Sequence, residues 1–175
     1  VVTLTKDGVS NKYNNTFTSP NVLGVYNVSF FANDTRNNVN SSVRTNFTIV
    51  DAQNPAVFDV RPVAQTIYNV SNIVTISANV TDDVSVNFVR INLTFSNSST
   101  QLITLVKDGT TDKYNNTFTA PNVLGVYNVS FFANDTSNNI NNTIRTNFTI
   151  VDAQVPAVFD VRPIAMSGFN VSDIV

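Results

Sequence analysis

Apolar and polar residues alternate with period two in run after run along the chain, the pattern of strands with one buried face. Over one stretch this alternation predicts seven strands, at 57–61, 74–81, 87–95, 101–106, 113–119, 126–134 and 143–151. The inward set reads Val74, Ile76, Ala78 and Val80 on the second strand, and Val89, Ile91, Leu93 and Phe95 on the third. It continues with Tyr114 and Phe118 on the fifth, Tyr127, Val129, Phe131 and Ala133 on the sixth, and Ile144, Phe148 and Ile150 on the last. Turn formers separate the runs: Asp82-Asp83, the polar loop 96–100, Lys107-Asp108-Gly109, and the corner from Pro121 to Gly125. No segment holds a helical period over three turns. Seven short strands in about 100 residues predict an all-β antiparallel sandwich. Tyr127, at the start of the sixth strand, has the position of a tyrosine corner, whose hydroxyl ties back to upstream backbone.

The pattern itself repeats. Shifted by 101 residues the chain falls on itself without gaps, with 55 of 74 overlapping positions identical. The segment LGVYNVSFFANDT at 23–35 recurs at 124–136, and RTNFTIVDAQ at 44–53 recurs at 145–154. Such a period marks a tandem array. Linkers at 51–55 and 152–156 divide the chain into the later strands of one repeat (1–54), a complete repeat (55–154) and the first two strands of another (155–175). Linkers this short leave little room to bend, so neighbouring repeats are expected to pack end to end. A partial repeat leaves its apolar face open. Either the polypeptide continues at both ends, or partial repeats of identical subunits complete each other by strand donation. Against the second stands the lack of any counterpart to 76–101 in the two fragments together.

Three segments carry a family resemblance: VTISANVTDDV at 74–84, GVYNVSFFANDTSNN at 125–139, and the linker VDAQVP at 151–156. On these the unit resembles the Ig-like tandem repeats of large bacterial and archaeal cell-surface proteins, shading into cadherin-like and fibronectin-III-like repeats. The resemblance implies tandem seven-stranded antiparallel Ig-like β-sandwiches in an extracellular spacer, fibre or adhesin stalk. It implies no ligand.

Composition narrows the chemistry. Cys, His and Trp are absent, and all twelve acidic residues are Asp. This removes disulfides, thiolate and imidazole metal sites, cysteine nucleophiles and Ser-His-Asp triads. The net charge of −2 leaves no basic face for nucleic acid. No apolar run approaches the length of a spanning helix, so no direct membrane insertion is expected of this segment. Five Gly form no phosphate-cradling loop, and the carboxylates sit in turns with no apolar pocket to tune them. Catalysis is not expected.

Asparagine supplies the main candidate sites. Fifteen Asn-X-Ser/Thr sequons occur, at Asn14, Asn27, Asn33, Asn40, Asn46, Asn69, Asn79, Asn92, Asn97, Asn115, Asn128, Asn134, Asn141, Asn147 and Asn170. Random placement of 28 Asn among 36 Ser and Thr in 175 residues gives only roughly six. Strand alternation alone makes some of them, because i and i+2 share a face. Comparison of copies favours modification: Asn40-Ser41-Ser42 becomes Asn141-Asn142-Thr143, keeping the acceptor while both following residues change. N-linked glycans would shield a weakly charged surface of long Val/Phe/Ile strands from edge pairing. They would also require an extracytoplasmic location.

A second candidate is a calcium site. The turns after the second, fourth and sixth strands would share a pole with the incoming linker, gathering Asp82, Asp83, Asp108, Asp112 and Asp135 beside Asp51. Hard oxygen ligands at a module junction suit Ca²⁺, with Asp51, Asp82, Asp83 and Asp135 as the candidate ligands. Asp is also a common turn residue, and Lys107 and Lys113 lie close enough in sequence to offset two charges. The reading is a structural segment of a glycosylated extracellular filament, stalk or surface layer, whose partners are neighbouring repeats or identical subunits. The alternative is an adhesin-type module holding a glycan or protein through outward Phe88 and Phe132.

Overall fold

The structure, a computed structural model, describes residues 1–162 and 168–172. Among them every regular element is a strand. The segment 1–50 forms three separate two-stranded ribbons: β1 (Thr5–Lys6) with β2 (Tyr13–Asn14), β3 (Gly24–Ser29) with β6 (Arg44–Ile49), and β4 (Ala32–Asn33) with β5 (Val39–Asn40). The remaining strands are β7 (Ala56–Arg61), β8 (Thr66–Asn69), β9 (Ile73–Thr81), β10 (Val86–Thr94), β11 (Thr100–Lys107), β12 (Lys113–Thr119), β13 (Gly125–Asp135), β14 (Ile140–Asn141) and β15 (Arg145–Val151). They form one curled sheet in the order β7-β9-β12-β11-β10-β13-β15-β8, with β14 on β13.

The curl makes a sandwich. One layer is β7-β9-β12 and the other β8-β15-β13-β10, and β11 joins them. Its residues 100–105 pair with β10, while Val106 and Lys107 pair with Asn115 and Tyr114 of β12. The fill between the layers is the alternation read from sequence. Val74, Ile76, Ala78, Val80, Val89, Ile91, Leu93, Val129, Phe131 and Ala133 are all buried. Phe95, Phe118, Tyr127 and Phe148 form the aromatic centre, with Tyr127 5.0 Å from Phe95 and 5.2 Å from Phe148. Burying such side chains contributes about 1.5–3 kcal/mol each.

The complete repeat has nine strands where alternation predicts seven. The first predicted strand, 57–61, is β7, and β8 follows it where alternation predicts no strand. Asp59 takes a positive φ of 47°, the register slips between Phe58 and Arg61, and the chain passes buried Pro62 into the opposite layer. There β8 adds parallel to β15, with Phe148 opposite Thr66 and Ile150 opposite Tyr68. At four residues β8 is too short to announce itself by period. The other addition, β14, is a two-residue bridge onto Ala133 and Asn134.

The tyrosine corner is present. Tyr127 Oη donates to the Val123 carbonyl at 2.7 Å, and the copy, Tyr26, donates to Val22 at 2.8 Å. Gly125 precedes it at φ 121°, where a Cβ would lie 2.8 Å from Ser96 Cβ, so this corner requires glycine.

Candidate functional site

The linker 51–55 does not hang free. Asn139 Nδ2 donates to the Asp51 carbonyl (3.3 Å), Ile140 N to Asn54 Oδ1 (3.1 Å), and Asn141 Nδ2 to the Pro55 carbonyl (2.9 Å). Pro55 itself is buried. The turn between β13 and β15 therefore straps the linker at three points. This turn is built by Asp135, whose side chain is wholly buried. Its Oδ1 accepts the Ser137 and Asn139 amides at 2.8 Å each, and its Oδ2 accepts Asn139 Nδ2 at 2.8 Å. Burial pushes the Asp135 carboxyl up, but the hydrogen bonds from Asn139 and Ser137 outweigh it and hold it below the usual carboxylate range.

Beside this strap lie Asp51, Asp82 and Asp83, with a carboxylate oxygen of each within 4.8 Å of the others. Asp82 Oδ1 accepts the Val84 and Ser85 amides, which makes the turn between β9 and β10. The other oxygen, Oδ2, is buried without a hydrogen-bond partner among the described residues, as is Asp51 Oδ2. The structure thus brings together three of the four carboxylates singled out for calcium. Asp135 is not one of these three and its oxygens are bonded within its own turn, but it lies beside the Asp51 side chain. Asp108 and Asp112 are also outside the group, and Lys107 Nζ lies 5.8 Å from the Tyr114 ring rather than in an ion pair with them.

The sequons divide by exposure. In the complete repeat Asn92, Asn97 and Asn128 are exposed; Asn69, Asn79, Asn115, Asn141 and Asn147 are half-buried; Asn134 is buried and accepts from Asn87 Nδ2 at 3.3 Å. Asn14, Asn27, Asn33, Asn40, Asn46 and Asn170 are exposed. Three sequons also have a structural use. Asn40 Oδ1 accepts both the amide and the hydroxyl of Ser42, and the same pair of bonds joins Asn97 to Ser99 and Asn141 to Thr143. An Asx turn closed by a hydroxyl needs Asn at i and Ser or Thr at i+2 whether or not a glycan is attached. The retention of that pattern between 40–42 and 141–143 therefore has a local structural cause.

Outward Phe88 and Phe132 stack at 5.9 Å, with the Arg90 guanidinium 4.4 Å from the Phe88 ring centre. Sequence reasoning flagged both rings but missed Arg90 and Arg145 beside them, and missed the strap. Alternation around Arg90 placed it outward; the hydrogen bonds of Asn54, Asn139 and Asn141 cross 86 or more residues and leave no local trace.

No protein-family model matches the chain, and no curated protein sequence matches it. Solved structures similar to it include CopC from Methylosinus trichosporium OB3b, at 16% identity and a TM-score of 0.45, covering 59% of this chain and 99% of that one. Fibronectin(III)-like modules of CbhA from Clostridium thermocellum are similar at 15% identity and a TM-score of 0.47, covering 79% of this chain and 68% of theirs. Among the described residues no helix is long and apolar enough to cross a membrane.

Proposed function

We propose that the chain is a structural segment of an extracellular array of Ig-like sandwiches repeating every 101 residues, seven principal strands to a repeat, joined end to end. The observation that carries this reading is the fate of identical residues in two settings. Tyr114, Phe118 and Phe131 are 7%, 8% and 1% exposed, whereas their copies Tyr13, Phe17 and Phe30 are 57%, 57% and 41% exposed. The difference is the set of strands β7 to β10, which the segment 1–50 lacks. The strapped linker supports a stiff joint. Imaged by negative-stain electron microscopy, a protein of several consecutive repeats is expected as a straight rod advancing roughly 35–45 Å per repeat. A freely jointed string of beads would refute the reading.

The same filament carries N-glycans at a subset of its exposed sequons. Asn97 and Asn128 are the expected carriers within the complete repeat, and Asn134 is expected bare because its amide is buried. Glycopeptide mapping of the native-source protein tests this. Unmodified Asn throughout would leave the sequons as products of strand alternation and Asx turns.

A calcium joint is the second reading, favoured by two buried carboxylate oxygens without partners, on Asp51 and Asp82. Bound Ca²⁺ would satisfy both and lock linker to turn. Calcium is expected to raise the melting temperature of the parent but not of Asp82→Asn; equal melting of the parent with calcium and with EGTA would dismiss the site.

A further inference from the structure

The outer face of β10, β13 and β15 takes no part in core or joint. Cross-strand register sets its side chains in rows: Asn92, Ser130 and Arg145 in one, Arg90 and Phe132 in the next, with Phe88 stacked on Phe132. Arg90, Asn92, Ser130, Phe132 and Arg145 line an open groove of about 320 Å³. The ion pairs among the described residues are Asp59–Arg61 and Asp160–Arg162, so neither Arg90 nor Arg145 has a carboxylate partner. Arg145 Nη1 is held by the Asn142 and Thr143 carbonyls at 3.1 and 3.2 Å, which orients the guanidinium and leaves its other nitrogens open. No acidic residue stands on β10, β11 or β15, and the one on β13, Asp135, is buried. Against the expectation from the net charge of −2, this face is locally cationic through Arg90 and Arg145, with an aromatic floor.

We propose that this groove binds an anionic polysaccharide, the two guanidiniums taking carboxylates of separate sugars while a pyranose ring lies on Phe132. Arg90 and Arg145 stand two strands and one row apart, roughly 12 Å, a span that reaches across neighbouring sugar units rather than one small anion. Guanidinium recognises carboxylate in a bidentate fork, and Asn92 and Ser130 offer the neutral donors and acceptors that sugar hydroxyls need. An open, shallow groove suits a chain passing through rather than an enclosed small molecule. Part of the site recurs 101 residues earlier as Ser29, Phe31 and Arg44, so a tandem array would present it repeatedly along a polymer and gain avidity. Binding by one groove does not depend on the array, so the two readings fail separately.

The test is a titration of the ¹⁵N-labelled chain, produced without N-glycosylation, with tetragalacturonate, beside neutral maltotetraose and hexa-aspartate. Tetragalacturonate is expected to shift the amides of 90–92, 130–132 and 145. Arg90→Ala and Arg145→Ala are each expected to weaken it about tenfold, the loss of one charge-assisted hydrogen bond, and Phe132→Ser to weaken it while spectra away from the groove stay unchanged. Arg90→Lys keeps the charge and is expected to recover only part of the affinity. Absence of shifts at millimolar tetragalacturonate, or equal shifts with maltotetraose, would overturn the proposal. Tighter binding of hexa-aspartate would overturn it in favour of an acidic peptide. A glycan on Asn92 of the native-source chain would overturn it too, because that sugar would fill the groove.

Discussion

Removing one oxygen from Tyr127 tests how the corner contributes to the fold. The ring is fully buried among Phe95, Phe118 and Phe148, and Tyr127→Phe keeps that packing. What is lost is the 2.7 Å bond to Val123, leaving a partly buried carbonyl without its donor. Such a loss costs about 1–3 kcal/mol, offset in part by no longer burying a hydroxyl, so about 1.5 kcal/mol is expected. For a unit of this size that lowers the melting temperature by roughly 6–12 °C and the urea midpoint by about 1 M. The chain contains its own control. Tyr26 makes the same bond at 2.8 Å on a partly exposed ribbon, where water can replace the lost donor, so Tyr26→Phe is expected to cost less than about 0.5 kcal/mol. Far-ultraviolet circular dichroism in urea measures both. Burial also raises the Tyr127 phenol above its ordinary value of 10.0. A raised acid favours the folded state only while protonated, so its share of stability is full below that value and is lost as pH climbs through the folded one. The phenylalanine variant is expected to show a shallower alkaline loss. If Tyr127→Phe melts with the parent, or Tyr26→Phe costs as much, the reasoning from burial is wrong.

Three further outcomes follow from the same geometry. Asp135→Asn keeps an acceptor for the Ser137 and Asn139 amides but sets its NH₂ against Asn139 Nδ2, and is expected to cost about 1–3 kcal/mol by urea melts. Because the Asp135 carboxyl is held below 3.8, its contribution is present above that pH and is lost as pH falls through the folded value; the Asn variant is expected to lack this acid-sensitive step. Gly125→Ala combines a strained φ with a 2.8 Å approach to Ser96, whereas Gly24→Ala meets open space at a similar φ, so the first is expected to lower stability more in thermal melts. Asn141→Ala removes the bond to the Pro55 carbonyl and the turn to Thr143, and is expected to speed hydrogen exchange of the amides at 52–57 while β9 and β10 stay protected.

The fold was legible where period two was. Every residue read as inward on β9, β10, β12 and β13 is buried or packed on the core, because a strand with one wet face must alternate. The strand β8 was not legible. It depends on Asp59 adopting a positive φ and on β8 finding a parallel neighbour 82 residues away, and neither leaves a periodic mark. At the candidate sites the acidic trio was half legible, since Asp82-Asp83 announces a turn but its approach to Asp51 is a long-range fact. Asp135, the fourth candidate, closes its own turn beside Asp51, and an Asp in that role looks the same in sequence as one that faces a cation.

The two copies of one text separate local from non-local causes. Asp34 accepts the Arg36 and Asn38 amides and Asn38 Nδ2, the bonds Asp135 makes to its own copies of those residues, although one carboxylate is exposed and the other buried. The tyrosine corner and the Asn40 and Asn141 turns persist likewise. Turn chemistry therefore belongs to the hairpins themselves, whereas burial belongs to the strands that cover them. In the proposed array this ranks the forces. The strap of a linker onto the repeat that follows it is three hydrogen bonds, about 1 kcal/mol apiece. The core of the complete repeat buries nineteen apolar residues among the described ones. A load on the proposed filament is then expected to open repeats singly. A filament failing as one cooperative unit would require joints far stronger than these three bonds.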